Sequence, residues 1–176
     1  MNNAESQAKA QLESIVNMVA ALECDYARLE ELKDERESLN DDINQADTDS
    51  GAHITRSTLL REWMDENGEE LQELITAAGD CDGEDDARQR IQEDPLSVEV
   101  REDWKNPGEE SSPSEFKILL CTGGPAVRIM GDLDEYMQPC RAYIQYQDWG
   151  TPWTDYVGHG CNSSLLAYCQ QFYFGE

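Results

Sequence analysis

The sequence is poor in basic residues and in histidine. Against 38 Asp and Glu it has 13 Lys and Arg and two His, which gives a formal net charge of −25. A surface this acidic repels nucleic acid and anionic membranes and attracts basic proteins. Self-repulsion of like charges also works against compact folding, so the excess of carboxylates needs a reason. The composition therefore indicates a basic protein partner, with no direct binding to nucleic acid or to a membrane.

The sequence also lacks long apolar runs and paired cysteines. No apolar run approaches roughly 18 residues, and no basic segment followed by an apolar one begins at Met1, so we expect neither membrane spanning nor secretion. The six cysteines are widely spread and form no C-x-x-C pair. We expect mostly buried thiols and a cytoplasmic location, in the cytoplasm of a host cell if the partner is a host protein.

Two Asp-rich turns suggest calcium, but their spacing is wrong. An EF-hand loop needs Gly at its sixth position and Glu at its twelfth. The twelfth residue counted from Asp80 is Ile91, and the twelfth counted from Asp47 is Thr58. We therefore interpret both turns as solvated acidic loops and predict no metal site.

Motifs for phosphate binding and nucleophilic catalysis are incomplete as well. Gly123 and Gly124 are followed by Pro125 and a strand pattern, whereas a phosphate-binding loop continues into a helix. His159 and Cys161 are two residues apart in a predicted loop, a spacing that seldom gives a working Cys/His pair. We predict no catalytic residue and no cofactor. A small enzyme or metal-binding domain that uses the Asp-rich turns or the Cys161 region is kept as a third hypothesis.

The two halves of the chain differ in pattern and in charge. Residues 1–95 contain 26 acidic and 8 basic residues, and residues 96–176 contain 12 and 5. No Gly or Pro interrupts residues 4–46, so the pattern predicts one helix over about residues 5–45, about 60 Å long. Its apolar residues recur at steps of three and four, which is typical of a heptad seam: Leu12, Ile15, Val19, Leu22, Tyr26 and Leu29.

The rest of the chain predicts two more helices and then a sheet. A helix that begins at Thr55 or Ser57 is expected to end at Ala78, and a short helix follows over about residues 84–92. Strand patterns occupy residues 96–100, 116–121, 126–133 and 141–149, and a helix capped by Ser163 or Ser164 ends the chain. The prediction is an α+β fold with an acidic helical region over 1–94 and a β-rich domain over 95–176, an antiparallel sheet of about four strands with a terminal helix.

Two rows of carboxylates follow the predicted helices at helical spacing. The first acidic stripe consists of Glu30, Asp34, Glu37 and Asp41, and the second acidic stripe of Glu62, Glu66, Glu69 and Glu73. Like charges at i,i+4 cost a few tenths of a kcal/mol per pair, so repeated stripes suggest that the chain uses the field they create. We predict that both stripes bind the partner. The alternative is that they form solvated helix faces.

The first predicted helix is longer than the second, so a hairpin of the two would leave part of the heptad seam uncovered. Exposed apolar stripes of this kind mark interfaces. We therefore expect a homodimer or a heteromeric contact through Leu12, Ile15, Val19 and Leu22.

Aromatic residues are densest at Trp149 and Trp153. Large rings supply much of the apolar burial of a small domain, so we interpret both as core residues, with Asp148 capping the turn. The alternative is an exposed Trp that anchors a partner.

The acidic composition resembles that of small phage-encoded inhibitors of host defence, the anti-CRISPR and anti-restriction proteins of the DNA-mimic type. Two strings are similar to uncharacterised phage and prophage domains, a likeness that covers roughly residues 94–176: Cys-Thr-Gly-Gly-Pro-Ala-Val-Arg-Ile at 121–129 and Tyr-Gln-Asp-Trp-Gly-Thr-Pro-Trp at 146–153. The resemblance implies a non-enzymatic inhibitor that acts stoichiometrically, without a cofactor, on a basic host nucleic-acid-binding or nuclease complex. No motif is shared across that class, so the expected site residues come from the stripes.

Charge density tests this hypothesis. Duplex DNA carries one charge per about 1.7 Å, so about 60 Å holds roughly 35 charges. Residues 5–45 hold eleven acidic and four basic residues, which makes one helix a dilute imitation. The second stripe or a second chain would improve the match. The competing hypothesis is a phage structural or assembly protein with a coiled-coil arm, in which the charge only keeps the protein soluble.

Overall fold

The computed structural model describes residues 3–44, 51–104, 106–108, 112–157 and 162–175, with the backbone alone at 44 and 51–53. Five helices and five strands lie in these ranges. In chain order they are α1 Asn3–Leu22, α2 Tyr26–Asn44, α3 Gly51–Ala78, α4 Glu84–Glu93, β1 Ser97–Glu102, β2 Pro113–Cys121, β3 Ala126–Leu133, β4 Pro139–Gln147, β5 Thr154–Asp155 and α5 Asn162–Cys169. The predicted α+β class, with helices first and an antiparallel sheet and terminal helix after them, is confirmed.

The prediction of a single helix over residues 5–45 is wrong, because the helix ends at Leu22 and a new one begins at Tyr26. Asp25 caps the new helix: its carboxylate accepts the backbone N–H of Arg28 at 3.0 Å, and its carbonyl accepts that of Leu29 at 2.9 Å. An Asp cap can start a helix where the chain has neither Gly nor Pro. The heptad seam therefore belongs to two helices.

The apolar stripe of α1 is buried within the chain. Five of its buried positions recur at steps of three and four: Ala4, Ala8, Leu12, Ile15 and Val19. Side chains that are already buried are not available to a second chain. The exposed seam assumed for the oligomerisation contact through Leu12, Ile15, Val19 and Leu22 is therefore absent at the first three positions, and Leu22 is half-buried. The oligomeric state itself stays a prediction.

The chain divides into two compact units. We call Met1–Val19 together with Asp85–Glu176 the sheet unit, and Ala20–Glu84 the hairpin unit. The change from helices to strands falls at Ser97, close to the predicted boundary at 94 and 95. The compact units divide the chain elsewhere, because most of α1 and nearly all of α4 belong to the sheet unit.

The sheet is an antiparallel meander in the order β1-β2-β3-β4-β5. The four predicted strands are found, and the short β5 pairs with β4 as a fifth. Alternation of side chains along β2 and β3 buries one face of the sheet through Phe116, Ile118, Val127 and Ile129. The predicted terminal helix is α5, which packs against β4.

One glycine allows close packing on the buried face. Gly131 in β3 pairs with Phe116 in β2, and the Phe116 ring crosses directly over it. A methyl group at this position would overlap the Phe116 ring and the carbonyl oxygen of Arg141. The position also lets Phe116 stack on Phe174 at 4.8 Å between ring centroids.

Candidate functional site

The hairpin unit is built by α2 and α3, which pack antiparallel. Four residues form its buried core: Leu29, Leu32, Leu71 and Ala78. Tyr26, Trp63, Leu74 and Ile75 cover this core and are partly buried. These apolar residues of α3 thus lie against α2, whereas Met64 of the same helix is 41% exposed.

Four polar contacts set the register of the hairpin, and in each the two residue numbers sum to 98. A constant sum means that α2 and α3 keep one unbroken antiparallel register. We call these contacts the rungs: Cys24 Sγ donates to the Leu74 carbonyl at 3.6 Å, Arg28 Nε to Glu70 at 3.1 Å, Trp63 Nε1 to Glu35 at 2.9 Å, and Arg56 Nη1 to the Asp42 carbonyl at 2.7 Å.

Arg28 is the most engaged cation of the hairpin unit. Its Nη2 lies 3.0 Å from Glu70 and its Nη1 lies 2.7 Å from Glu31. Hydrogen bonding to Glu70, and then to Glu31, raises the pKa of Arg28, and the same bond to Arg28 lowers the pKa of Glu70. An exposed pair of this kind adds little stability. Its effect is to hold the register and to neutralise carboxylates on the flank of the hairpin.

The first acidic stripe lies on the outer face of α2. At roughly 100° per residue, its four carboxylates lie about 140–180° around the helix from the buried Leu32. All four are exposed, and none has a hydrogen bond or ion pair with another residue that the structure describes. They follow one line along the helix, as the spacing predicts.

The second acidic stripe has the same relation to α3. Its four glutamates lie about 140–180° around the helix from Leu71. Each is exposed, and within the described ranges each lacks a hydrogen bond or ion pair. Since both stripes point away from a shared seam, they lie on opposite outer faces of the hairpin. They form two patches and do not add up to one surface.

The cations of the hairpin unit lie elsewhere. Residues 20–84 contain 20 acidic and five basic residues. Arg28 and Arg56 take part in rungs on one flank. Helical geometry places Lys33 and Arg61 on the other flank, with Arg36 half-buried near the seam. Both outer faces are consequently left to carboxylates.

The density of charge on each outer face approaches that of one nucleic-acid strand. The four carboxylates of a stripe span twelve residues, or eleven helical rises, which is about 16 Å of helix and about 5.5 Å per charge. One strand of B-DNA has a phosphate every 3.4 Å or so. A stripe therefore carries about 0.6 of the charge of one strand of the same length.

The prediction that Trp149 and Trp153 are both core residues needs a correction. Trp149 is 79% exposed, so its assignment to the core is wrong, because the turn that holds it projects from the end of the sheet. Trp153 is half-buried under the guanidinium of Arg128, 4.0 Å from its ring centroid. Asp148 does cap the turn: its carbonyl accepts the Thr151 N–H at 3.1 Å.

Sequence reasoning also missed two exposed rings, Trp104 and Tyr136. Each lies in a polar segment beyond the end of a strand, which is the signal that could have marked it as exposed. They lie on the sheet unit and take no part in the acidic stripes.

The remaining sequence features to compare with the structure are the His/Cys pair, the Asp-rich turns and the absence of an apolar span. His159, Cys161 and the turn at Asp47 lie outside the described residues. Within the described ranges no group of three or more His, Cys, Asp or Glu is arranged to hold a metal ion. In the same ranges no helix is both long enough and apolar enough to cross a membrane.

Comparisons with known proteins gave no match to a family model, to a curated protein or to a solved structure. The resemblance to phage inhibitors of host defence therefore stays an expectation. The functional argument rests on the surface chemistry of the hairpin unit.

Proposed function

We propose that this chain is a non-enzymatic inhibitor that uses the outer carboxylates of the hairpin unit to occupy the basic nucleic-acid-binding site of a partner protein. One observation carries the proposal. Eight exposed carboxylates on the two stripes have no partner among the described residues, while the five cations of the unit lie at the seam and on the flanks.

Solubility alone is a weak explanation for this arrangement. Each stripe contains two i,i+4 pairs of like charge and one i,i+3 pair, and each such pair costs about 0.2–0.5 kcal/mol. A solvated face could mix Lys and Glu and gain the same amount instead. Segregation of the acidic residues to the outer faces has a use if a basic groove closes around the hairpin.

The class of partner follows from the charge and from the resemblance. A channel lined by Lys and Arg that accepts a nucleic-acid strand also accepts a rod with carboxylates on two faces. The resemblance to anti-CRISPR and anti-restriction proteins makes that partner a nucleic-acid-targeting defence complex in the host cytoplasm. Binding is then stoichiometric and requires no cofactor.

The competing hypothesis, a coiled-coil assembly arm, loses its main support. It required a continuous exposed seam, whereas the helix ends at Leu22 and Leu12, Ile15 and Val19 are buried within the chain. Assembly through apolar contacts would also persist at high salt. Salt dependence therefore distinguishes the two functions.

The test has two stages. The immobilised chain is first exposed to host lysate at low and at high salt, and the retained proteins are identified. A retained nucleic-acid-binding protein is then purified, and its binding to labelled DNA or RNA is measured with increasing amounts of this chain. We expect retention that weakens steeply with salt and displacement of nucleic acid at a fixed stoichiometry.

Two results would contradict the proposal. One is a partner whose binding is insensitive to salt. The other is a partner that binds its nucleic acid normally while it is saturated with this chain. Inactivation of the partner by less than one equivalent of the chain would instead support the hypothesis that the chain is an enzyme.

A further inference from the structure

The face of the sheet opposite to the buried Ile118 and Ile129 contains a cavity of about 400 Å³, which is within the range of small-ligand sites. Residues of β1, β2 and β3 line it, and their charged side chains are Glu99, Arg101, Glu115, Lys117 and Arg128. Three cations against two anions make this lining formally positive. That sign is unusual in a chain whose net charge is −25.

Two of the three cations in the cavity are neutralised. Lys117 Nζ lies 2.7 Å from Glu99, and this bond lowers the pKa of Glu99. Arg101 pairs with Glu115. Cross-strand pairing accounts for both contacts, because Lys117 faces Glu99 and Arg101 faces Glu115 in the register of β1 and β2.

Arg128 is different because no carboxylate among the described residues pairs with it. Its Nε and Nη2 both donate to Gln145 Oε1, at 3.0 and 2.8 Å. Gln145 Nε2 donates to Asp155 at 2.7 Å, which fixes the amide so that its oxygen faces Arg128. Arg128 is half-buried and its guanidinium lies over the Trp153 ring, and burial lowers the pKa of Arg128.

The geometry leaves one edge of the guanidinium open. Gln145 occupies the edge made by Nε and Nη2, and its neutral oxygen does not cancel the charge. The end made by Nη1 and Nη2 has no acceptor for Nη1 among the described residues. That end matches two oxygens of a carboxylate or phosphate, which it binds with two parallel N–H···O bonds.

We propose that the cavity beside Arg128 binds the carboxylate or phosphate group of a small ligand through the free end of this guanidinium. Trp153 holds the guanidinium plane by stacking, and Gln145 fixes its rotation. The site lies in the sheet unit, and it is independent of the acidic stripes and of the function proposed for them.

The test uses three probes that share a benzene ring: benzoate, phenyl phosphate and the neutral benzamide. Signals of the Arg128 Nε–H and the Trp153 indole N–H are followed by ¹H–¹⁵N NMR while each probe is added. We expect saturable shifts of both signals with at least one anion and none with benzamide. The tighter of the two anions identifies whether the oxyanion is a carboxylate or a phosphate.

Two variants distinguish the effect of the two-pronged donor geometry of Arg128 from the effect of its charge. Arg128→Lys keeps the charge but loses the two-pronged edge and the stacking, so affinity should fall at least tenfold. The double variant Gln145→Glu, Asp155→Asn keeps the net charge and places a carboxylate on Arg128, which should abolish anion binding. Arg141→Lys is the matched control. Arg141 is paired with Asp132 in neighbouring strands and lies outside the cavity lining, so affinity should not change.

The proposal is overturned if neither anion gives saturable shifts, if benzamide binds as well as they do, or if the double variant binds like the parent. Circular dichroism confirms that each variant keeps its fold. If Arg128→Lys does not fold, the double variant alone decides.

Discussion

Removal of the charge from the first acidic stripe should raise stability and lower partner binding at the same time. The variant Glu30→Gln, Asp34→Asn, Glu37→Gln, Asp41→Asn keeps the shape of the four side chains. It removes the repulsion within three like-charge pairs of the stripe, which is worth about 0.6–1.5 kcal/mol in total. Asp41 also lies in the last turn of α2, which has no basic residue, so its removal relieves the helix dipole by about 0.3–1 kcal/mol.

The expected gain in the free energy of unfolding is therefore about 1–2.5 kcal/mol, measured by urea denaturation at low salt. Partner binding should fall at least about fourfold, because four charge contacts of about 0.2–1 kcal/mol each are lost. Surface plasmon resonance should show most of the loss in a slower on-rate and a shallower dependence on salt.

A charge-preserving swap is the matched control. Glu30→Asp, Asp34→Glu, Glu37→Asp, Asp41→Glu keeps both the composition and the charge of the stripe, so partner binding should stay close to that of the parent. The equivalent glutamine variant of the second acidic stripe shows which outer face is used. Parental binding by both neutralised variants would refute the mimic hypothesis, and the exposed Trp149 would then be the next contact to test.

Four further predictions concern the fold and its ionisable groups. Gly131→Ala should cost about 1–3 kcal/mol of stability through overlap with Phe116, whereas Gly124→Ala, which has open space around it, should be neutral in the same urea titration. Tyr168→Phe should cost about 1.5–3 kcal/mol, because the buried hydroxyl donates to Asp94 at 2.7 Å; the exposed Tyr136→Phe is its control, and equal losses would contradict the assignment. Burial raises the pKa of the Cys169 thiol, so at mildly alkaline pH Cys169 should stay unmodified by iodoacetamide while the exposed Cys140 reacts. Equal rates of modification in peptide mapping would contradict the buried position of Cys169. Arg28 lowers the pKa of Glu70, so the stability that this pair adds is present above the ordinary glutamate pKa and is lost as the pH falls through the lowered value. An Arg28→Gln variant should therefore lose less stability on acidification. An unchanged dependence of stability on acidic pH would contradict the pairing.

Local patterns predicted the strands well because each strand carries its own signal. Period-two alternation over residues 126–133 reproduces the bounds of β3, and the strand pattern predicted after Gly123 and Gly124 is found. The break between α1 and α2 was missed because the apolar seam continues through it. The one residue in the sequence that signals the break is Asp25, the cap of α2. Its capping role depends on tertiary packing, because Val19 is buried in the sheet unit and Leu29 in the core of the hairpin unit.

The stripes could be predicted from spacing, and their opposite orientation could not. That orientation depends on which faces of α2 and α3 meet, which the packing of Leu32 against the α3 side of the hairpin core determines. The cavity beside Arg128 was also beyond sequence reasoning. Arg128 and Trp153 are 25 positions apart, and pairing of β3, β4 and β5 brings them together.

The constant register of the rungs has a consequence for length. Glu35 and Asp42 are seven residues apart on α2, and their partners Trp63 and Arg56 are seven apart on α3. Seven residues are about two helical turns, so one heptad inserted into both helices would repeat the rung and lengthen the hairpin by about 10 Å. An insertion that does not complete whole turns, such as two or five residues, would rotate apolar residues outward, and an insertion in one helix alone would break the register of the rungs. The length of the acidic rod can therefore change only through matched insertions in both helices that preserve the helical phase, such as seven or eleven residues.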